Sequence, residues 1–220
     1  MPKDAPENKI NAVLSYGGQI YLCDPTLQQR NSLLKEIQTK TNAHFISPHD
    51  NLDVIAGQGT IALELLEEMP DLEAIVFPIG GGGLGAGLSL VFSNHDPSIK
   101  LIGVEPEGAA DVTASLKVGH VKHVVKPCTI AKGLHVGVGE LTWPILRKHL
   151  TQVHLVSDEH TIEAMIFMWQ YVKMVVEPSS AVTVAAAQSK AFQKEFGKLK
   201  TALVISGGNV DFPELNDLTL

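Results

Sequence analysis

The segment of this chain best suited to chemistry is a run of four glycines: Gly80, Gly81, Gly82 and Gly83. Apolar residues 73–77 before the run predict a buried strand, and residues 86–92 after it predict a helix. A loop without β-carbons lets backbone N–H groups converge on an anion, with the positive end of the helix dipole behind them. Because consecutive glycines are costly in chain entropy, a plain turn rarely uses them. The pattern predicts a phosphate-binding loop, with a merely tight strand-to-helix turn as the alternative.

A second interpretation of the same loop is a dinucleotide fingerprint. Gly80, Gly82 and Gly85 have the required spacing, and Glu105 follows about twenty residues later, where a ribose-binding acid belongs. A run of glycines matches this spacing almost automatically, and the fingerprint normally follows the first strand of its domain. Here several elements precede it. An NAD(P)-binding Rossmann domain is therefore the weaker alternative.

The elements that must position these residues alternate along the chain. Apolar periodicity predicts strands at residues 19–22, 44–46, 73–77, 101–104, 121–125, 153–156 and 202–205. It predicts helices that open at residues 24–26 and that cover residues 53–69, 86–92, 110–117, 141–150, 158–174 and 181–192. Strands that alternate with helices indicate an α/β fold with a mostly parallel sheet.

Composition narrows the class of protein. The chain has 220 residues, 45% of them hydrophobic, which is enough for one large domain or one and a half. Its net charge of −7 is scattered, so we expect neither nucleic acid nor an anionic membrane as a partner. There is no apolar run of bilayer length and no apolar signal near the start. Cys23 and Cys128 lack metal-ligand spacing and indicate free thiols in a reducing compartment. We expect a cytoplasmic protein.

Four stretches occur in an order that is characteristic of one family: residues 54–62 (VIAGQGTIA), 78–84 (PIGGGGL), 177–181 (EPSSA) and 205–209 (ISGGN). Together they resemble the fold-type II pyridoxal-phosphate enzymes of the serine racemase and threonine (serine) dehydratase family. Residues 2–9 and 142–145 resemble the family as well, so the similarity covers essentially the whole chain. The resemblance implies a tryptophan synthase β-like three-layer α/β fold. Residues 1–51 would be the remainder of a small domain, and residues 52–220 an incomplete large cofactor-binding domain.

The resemblance also implies roles around pyridoxal 5′-phosphate. The four glycines would bind its phosphate, and Ser206 would hydrogen-bond its pyridine nitrogen. A neutral hydroxyl there makes the cofactor a weaker electron sink than a carboxylate does, which suits α-proton removal followed by β-elimination or reprotonation. Gly133 and Glu177 would form the pocket wall. His49 stands where several racemases of the family have Asn, near the phenolic oxygen of the cofactor, and where dehydratases often have Phe. It either donates the hydrogen bond that Asn would donate there or is a partly exposed loop residue.

A divalent cation site is implied at Glu105, Asp111 and the carbonyl of Ala109. Such hard oxygen ligands suit Mg²⁺ or Ca²⁺. The alternative is a solvated acidic loop, because Glu105, Glu107 and Asp111 lie close together in the sequence.

A nucleotide effector such as ATP is implied at Lys9, Tyr16 and Asn209, which fall where eukaryotic serine racemases bind it at a subunit interface. Each residue also has an ordinary explanation: a charge on a helix surface, a packing residue and a turn residue, respectively.

No catalytic residue is assigned in this chain. The family holds its cofactor on a Schiff-base lysine and uses a serine on the opposite face of the substrate, and neither motif is present; Lys132 is better explained as a loop charge. We therefore expect a truncated member, inactive or nearly so alone. Its parent enzyme would be a homodimer that converts L-serine or L-threonine to a 2-oxo acid and ammonia, with serine racemisation as a second activity. A non-catalytic fragment that pairs with a full-length subunit is the remaining alternative.

Overall fold

The computed structural model describes residues 1–210, apart from the side chains of Asn8 and Leu27, and the chain forms two compact units. One unit is Met1–Ile46, and the other begins at Ser47. The expected boundary between residues 51 and 52 falls inside the second unit. The assignment of the two parts to a small and a large cofactor-binding domain stays a prediction, and residues 211–220 of the second part lie outside the described residues. Within residues 1–210, no helix is both long and apolar enough to cross a bilayer.

The first unit contains two helices, α1 (Glu7–Ser15) and α2 (Leu27–Thr41). The Thr26 hydroxyl accepts a hydrogen bond from the Gln29 N–H at 3.2 Å, so the helix opening expected at residues 24–26 is confirmed. The strands expected at residues 19–22 and 44–46 are wrong. In the described part of this unit, β-pairing is limited to an isolated bridge between Pro2 and Cys23. A short apolar run without a neighbouring strand does not form a ladder, whatever its periodicity.

The second unit alternates strands with helices. Its elements are α3 (Leu52–Glu68), β1 (Ala74–Pro78), α4 (Gly83–His95), β2 (Lys100–Pro106), α5 (Asp111–Val118), α6 (Thr142–His149), β3 (Gln152–Val156), α7 (Asp158–Phe167), α8 (Pro178–Gln188), α9 (Lys190–Phe196) and β4 (Thr201–Leu203). Single helical turns occur at Glu107–Ala109, Lys132–Leu134 and Met168–Val172.

The four strands form one parallel sheet in the order β3-β2-β1-β4. Side chains alternate between its faces. Ala74 and Val76 of β1 pack in a core with residues of α7, α8 and α9, whereas Ile75 and Phe77 pack in a second core with residues of α3, α4 and α6. The sheet therefore lies between two helical layers, and the expected three-layer α/β fold is confirmed. Because the strands are parallel, the loops after β1, β2 and β4 leave from the same edge.

Three expected elements of the second unit differ from the structure. Residues 121–125 form no strand, because side chains of α5 take up their backbone groups: the Lys122 N–H donates to Ser115 Oγ and the Val124 N–H to Asp111 Oδ1. The helix expected at residues 158–174 leaves α-helical geometry after Phe167. The helix expected at residues 181–192 is two helices, because Ser189 is extended and its hydroxyl caps α9.

Candidate cofactor site

The glycine loop connects β1 to α4 and is lined by unused hydrogen-bond donors. Gly82 is the residue that precedes α4; its φ of 88° lies in the left-handed region, and no side chain caps the helix there. Gly81, Gly82 and Gly83 are buried. Among residues 1–210, no protein atom accepts a hydrogen bond from the N–H groups of Gly80 to Gly83. Buried amides are nearly always paired, so these free donors are what a bound anion would need, and the phosphate-binding role of the loop stays a prediction.

The carbonyl of Gly81 is fixed on the other side of the same loop. It accepts hydrogen bonds from the Thr142 hydroxyl at 2.7 Å and from the Gly139 N–H at 3.2 Å. Thr142 is fully buried, and its oxygen in turn accepts from the Gly139 N–H at 2.9 Å. The loop thus presents the Gly81 carbonyl oxygen to Thr142 and Gly139, while its own N–H groups have no acceptor in residues 1–210.

His49 forms a wall of the glycine loop. A β-carbon placed on Gly81 would lie 2.2 Å from Cγ of His49, and one on Gly83 would lie 2.9 Å from its carbonyl oxygen. The imidazole therefore packs directly on the backbone of the loop, which only glycine permits. Burial lowers the pKa of His49, so the ring is neutral near pH 7 and has one N–H to donate.

Asp50 ties the His49 segment to α6. Its carboxylate accepts hydrogen bonds from the Leu141 N–H at 2.8 Å and the Glu140 N–H at 3.1 Å. These residues lead directly into α6 and Thr142. One carboxylate therefore holds together the two segments that contact the glycine loop.

Gly133 lies on the other side of the loop. A β-carbon on Gly80 would lie 3.3 Å from the Gly133 carbonyl oxygen and 3.1 Å from Cα of Leu134. The Gly133 N–H donates to Ser179 Oγ at 3.0 Å, and a β-carbon on Gly133 would lie 2.7 Å from that oxygen. Gly80 and Gly133 are therefore in close backbone contact, and the role of Gly133 as a pocket wall stays a prediction.

Glu177 and Ser206, the remaining residues expected around the cofactor, lie at the same edge of the sheet. The Glu177 N–H donates to the Gly207 carbonyl at 3.1 Å, and a β-carbon on Gly133 would lie 3.7 Å from Glu177 Oε1. The Ser206 N–H donates to the hydroxyl of Ser180, which is fully buried, at 2.9 Å. Ser206 itself is exposed. Contacts thus run without a gap from the glycine loop through Gly133 and Glu177 to the turn after β4.

Hydrogen bonds to Asp158, which the sequence did not predict, hold the segment that leads to Gly133; we call this carboxylate the latch. Asp158, the first residue of α7, accepts hydrogen bonds from the Thr129 hydroxyl at 2.5 Å and the Ile130 N–H at 3.1 Å. Its position after a strand and a serine indicated only a helix start, and nothing in the sequence pairs it with residues almost thirty positions away. Thr142 and Asp50 were missed for the same reason.

The acidic loop after β2 is differently arranged. Glu105 Oε1 accepts from the Val112 N–H at 2.6 Å, and Oε2 accepts from the N–H and hydroxyl of Thr113 at 2.9 and 2.8 Å. Burial raises the pKa of Glu105, an effect that these three donors oppose. Asp111 Oδ1 lies 2.7 Å from the Val124 nitrogen and 3.6 Å from His123 Nδ1.

The three residues of the expected cation site, Glu105, Ala109 and Asp111, are buried in one short segment. Both carboxylates are engaged by backbone N–H groups, and the cation role stays a prediction. Across residues 1–210, no group of three or more His, Cys, Asp or Glu side chains is arranged to hold a metal ion.

The residues expected to bind a nucleotide lie in separate units. Lys9 is in α1 and Tyr16 follows it, 90% exposed. Asn209 is exposed in the segment after β4. Their nucleotide role also stays a prediction.

Comparison with known proteins identifies the family. The sequence profile described as "Pyridoxal-phosphate dependent enzyme" matches residues 1–208. The chain belongs to this family of pyridoxal-phosphate-dependent enzymes. The buried, unfilled amides of the glycine loop fit the phosphate that such a cofactor carries.

Individual relatives narrow the resemblance. The chain is 41% identical over 220 residues to serine racemase of Dictyostelium discoideum, covering 99% of this chain and 68% of the relative. It is 39% identical over 212 residues to L-threonine ammonia-lyase of Thermotoga maritima, covering 96% of this chain and 52% of the relative. The structure of maize serine racemase superposes with a TM-score of 0.94 at 37% identity, covering 98% of this chain and 67% of that one. The chain thus spans roughly one half to two thirds of these relatives.

These findings do not favour the NAD(P)-binding alternative. Its ribose-binding acid would be Glu105, which is 1% exposed and has both carboxylate oxygens bonded to the start of α5. A carboxylate in that environment has no free face for a ribose hydroxyl. The expectation that the chain belongs to this family and has its fold is confirmed.

Proposed function

We propose that this chain is the cofactor-binding part of a pyridoxal-phosphate-dependent ammonia-lyase that converts L-serine or L-threonine to a 2-oxo acid and ammonia. Racemisation of serine is proposed as its second activity. The observation that carries the proposal is the buried glycine loop with unfilled N–H groups, in contact with Gly133 and through it with Glu177. The similarity to a serine racemase and a threonine ammonia-lyase supports the substrate class.

In this proposal each part of the pocket has a physical task. The amides of residues 80–83 and the dipole of α4 hold the phosphate. The Ser206 hydroxyl meets the ring nitrogen, and Gly133 and Glu177 border the ring. The neutral imidazole of His49 donates a hydrogen bond beside the loop. When bound, the cofactor supplies the electron sink for chemistry at the substrate's α-carbon.

The proton-transferring groups are not assigned to this chain. The Schiff-base lysine and the opposite-face serine implied by the family resemblance have no counterpart motif in its sequence. Lys132, next to Gly133, is exposed. We therefore propose that these 220 residues by themselves bind the cofactor but do not turn over substrate.

Further features of the parent enzyme belong to the same proposal. They are a divalent cation, Mg²⁺ or Ca²⁺, at Glu105, Ala109 and Asp111; a nucleotide effector at Lys9, Tyr16 and Asn209; and a homodimeric assembly. A cytoplasmic location is proposed because the thiols of Cys23 and Cys128 are free and Cys128 is exposed, which suits a reducing compartment.

Cofactor binding is tested by titrating the chain with pyridoxamine 5′-phosphate, which has no aldehyde to react with surface lysines. We expect saturable binding that Ser206→Ala weakens, with NADH showing none. Binding of NADH without binding of pyridoxamine 5′-phosphate would overturn the proposal.

The reaction is tested by joining this chain to the segment of the Dictyostelium serine racemase that it does not match. The chimera is expected to release ammonia and a 2-oxo acid from L-serine or L-threonine. A chimera that binds the cofactor yet acts on neither amino acid would refute the substrate class.

A further inference from the structure

The peptide between Gly81 and Gly82 has two orientations of similar intrinsic energy. Gly82 has φ 88° and ψ 0°, the values of the third residue of a type II turn. Rotating this peptide by half a turn would give Gly82 a φ of about −90°, the value of a type I turn. Glycine adopts positive and negative φ about equally readily, so the glycines themselves do not select between the two.

The orientation of that peptide decides what the loop offers to a ligand. Because a peptide is planar and trans, its C=O and N–H point in opposite directions. The Gly81 carbonyl points to the Thr142 hydroxyl, 2.7 Å away. The Gly82 N–H therefore points away from α6. In the rotated form the carbonyl oxygen would take its place, and an oxygen repels a phosphate.

Thr142 is placed to stabilise one of the two orientations of the Gly81–Gly82 peptide. It is fully buried, and its single hydroxyl proton is donated to Gly81, since the alternative acceptor, the Gly139 carbonyl, is farther away at 3.3 Å. Its lone pair accepts from the Gly139 N–H at 2.9 Å. Asp50 fixes the same turn through the N–H groups of Glu140 and Leu141.

We propose that Thr142 is a positioning residue that locks the Gly81–Gly82 peptide with its N–H directed to the cofactor phosphate. The inference rests on the proposed cofactor site and adds to it a residue that contacts the loop and not the ligand. Without the hydroxyl, the Gly81 carbonyl keeps only the longer bond from Gly139. The peptide is then free to rotate, and the loop loses a donor to a charged group.

The test compares two ligands that differ only in the phosphate, pyridoxamine 5′-phosphate and pyridoxamine. Thr142→Val keeps the shape of the side chain and removes the hydroxyl. It is expected to weaken binding of pyridoxamine 5′-phosphate by about tenfold to a hundredfold, the value of one hydrogen bond to a charged acceptor. Binding of pyridoxamine should change by less than about threefold, since the rest of the pocket is retained.

Two variants serve as controls. Thr142→Ser retains the hydroxyl and is expected to restore the preference for the phosphorylated ligand. Thr161→Val removes the hydroxyl of another fully buried threonine, which donates to the carbonyl of Ser157 just before α7, and is expected to leave the preference unchanged.

The outcomes separate the inference from the proposed function. If the unmodified chain binds both ligands equally, the phosphate site itself is wrong. If the unmodified chain prefers the phosphorylated ligand and Thr142→Val keeps that preference, the lock is refuted. Should Thr142→Val not fold, Asp50→Asn carries the test. Asparagine replaces one of the two carboxylate oxygens that accept from the turn and removes the negative charge, which weakens both bonds, so the preference should fall about threefold, and an unchanged preference would again refute the lock.

Discussion

Two neighbouring loops at one edge of the sheet solve the same physical problem in opposite ways. The glycine loop leads from β1 into α4, and the acidic loop leads from β2 into α5. Each helix begins with N–H groups that have no partner within the helix. At α5, the Glu105 carboxylate accepts from two of these groups and from the Thr113 hydroxyl. At α4, no protein group does so among residues 1–210.

In the proposed function, this difference leaves one helix start for a ligand. Glu105 supplies a built-in anion, so α5 is complete without a partner. Glycines supply none, and they also leave the space that an anion would need. If this contrast is correct, changes in the glycine loop should affect ligand binding most, and changes in the acidic loop should affect folding.

The largest effect is expected for Gly82→Ala. The alanine would need a left-handed φ, and its β-carbon would lie 2.8 Å from Leu146 Cδ1 and 2.9 Å from Thr142 Oγ1. Strain and overpacking together should lower the free energy of unfolding by about 3–4 kcal/mol and abolish binding of pyridoxamine 5′-phosphate. Urea unfolding and ligand titration measure the two effects.

Gly57→Ala is the matched control for that change. Gly57 lies within α3, and a β-carbon there would meet nothing within 4 Å. Alanine is the better helix former, so this variant should be more stable by about 0.5–1 kcal/mol and bind the ligand normally. Equal behaviour of the two variants would show that the glycine loop is an ordinary turn.

The second effect is expected for Glu105→Ala, which should make the acidic loop resemble the glycine loop. It removes the acceptor of two backbone N–H groups and one hydroxyl, and should cost about 2–3 kcal/mol in the free energy of unfolding. Added sulfate should restore part of this loss by binding to the uncapped start of α5. Urea unfolding with and without sulfate gives the result.

The exposed neighbour Glu107 provides the control for that experiment. Glu107→Ala removes a carboxylate one turn before α5, and should change stability by less than about 0.5 kcal/mol with no added response to sulfate. A variant at Glu105 that sulfate stabilises no more than the unmodified chain would contradict the contrast between the loops.

The sequence predicted much of this arrangement, and for identifiable reasons. The glycine run and the strands of the second unit are local patterns, so periodicity and turn chemistry predict them directly. The contact of Gly133 with Gly80, by contrast, was accessible only through family resemblance. Residues 19–22 failed as a strand because pairing depends on neighbours that a local pattern does not specify.

What the sequence did not predict is the support of the site. Thr142, Asp50 and Asp158 act through hydrogen bonds to backbone groups far away in the chain. Threonine and aspartate are common at helix starts, and Thr142 and Asp158 are the first residues of α6 and α7. A side chain that accepts from a distant N–H leaves no spacing rule behind. Such residues become visible only when the fold brings the segments together.

A third, smaller effect is expected for Asp158→Asn, which tests whether the two loops share a support. The segment after residue 127 contacts both loops: the Cys128 N–H donates to Gly108 at 3.0 Å, and Gly133 contacts Gly80. Asparagine replaces one of the two carboxylate oxygens that accept these bonds and removes the negative charge from the other. The loss should be about 1–2 kcal/mol, with faster hydrogen exchange at residues 130–134.

The same substitution at Asp96 is the control, because Asp96 does not connect two distant segments as Asp158 does. Asp96 Oδ1 accepts from the Ser98 N–H at 2.8 Å in the turn between α4 and β2, and the carboxylate also interacts with the side chain of the same serine. An amide oxygen can replace it, so Asp96→Asn should change stability by less than about 0.5 kcal/mol. Exchange at residues 130–134 that is the same in both variants would mean that Asp158 is not the latch.

The smallest effect is the pH dependence that His49 gives to the glycine loop. Burial lowers the pKa of His49 below its ordinary value of 6.5, so the folded chain binds fewer protons there than the unfolded chain in the interval between the two values. Stability is therefore complete above the ordinary pKa and falls as the pH drops through it. Burial also lowers the pKa of His154 and of His149, so His49→Asn should remove only part of the loss between about pH 7.5 and about pH 5.5.

Glu105 has the opposite sign, which makes the two loops separable by pH. Burial raises its pKa, so the folded chain binds more protons there than the unfolded chain between the ordinary and raised values, and stability falls as the pH rises through that interval. Urea unfolding across both pH intervals gives the slope of stability against pH. Relative to the unmodified chain, this slope should change in opposite directions in His49→Asn and Glu105→Gln. Slopes that change in the same direction would mean that His49 and Glu105 do not titrate independently, and that the loops are coupled through the segment between them.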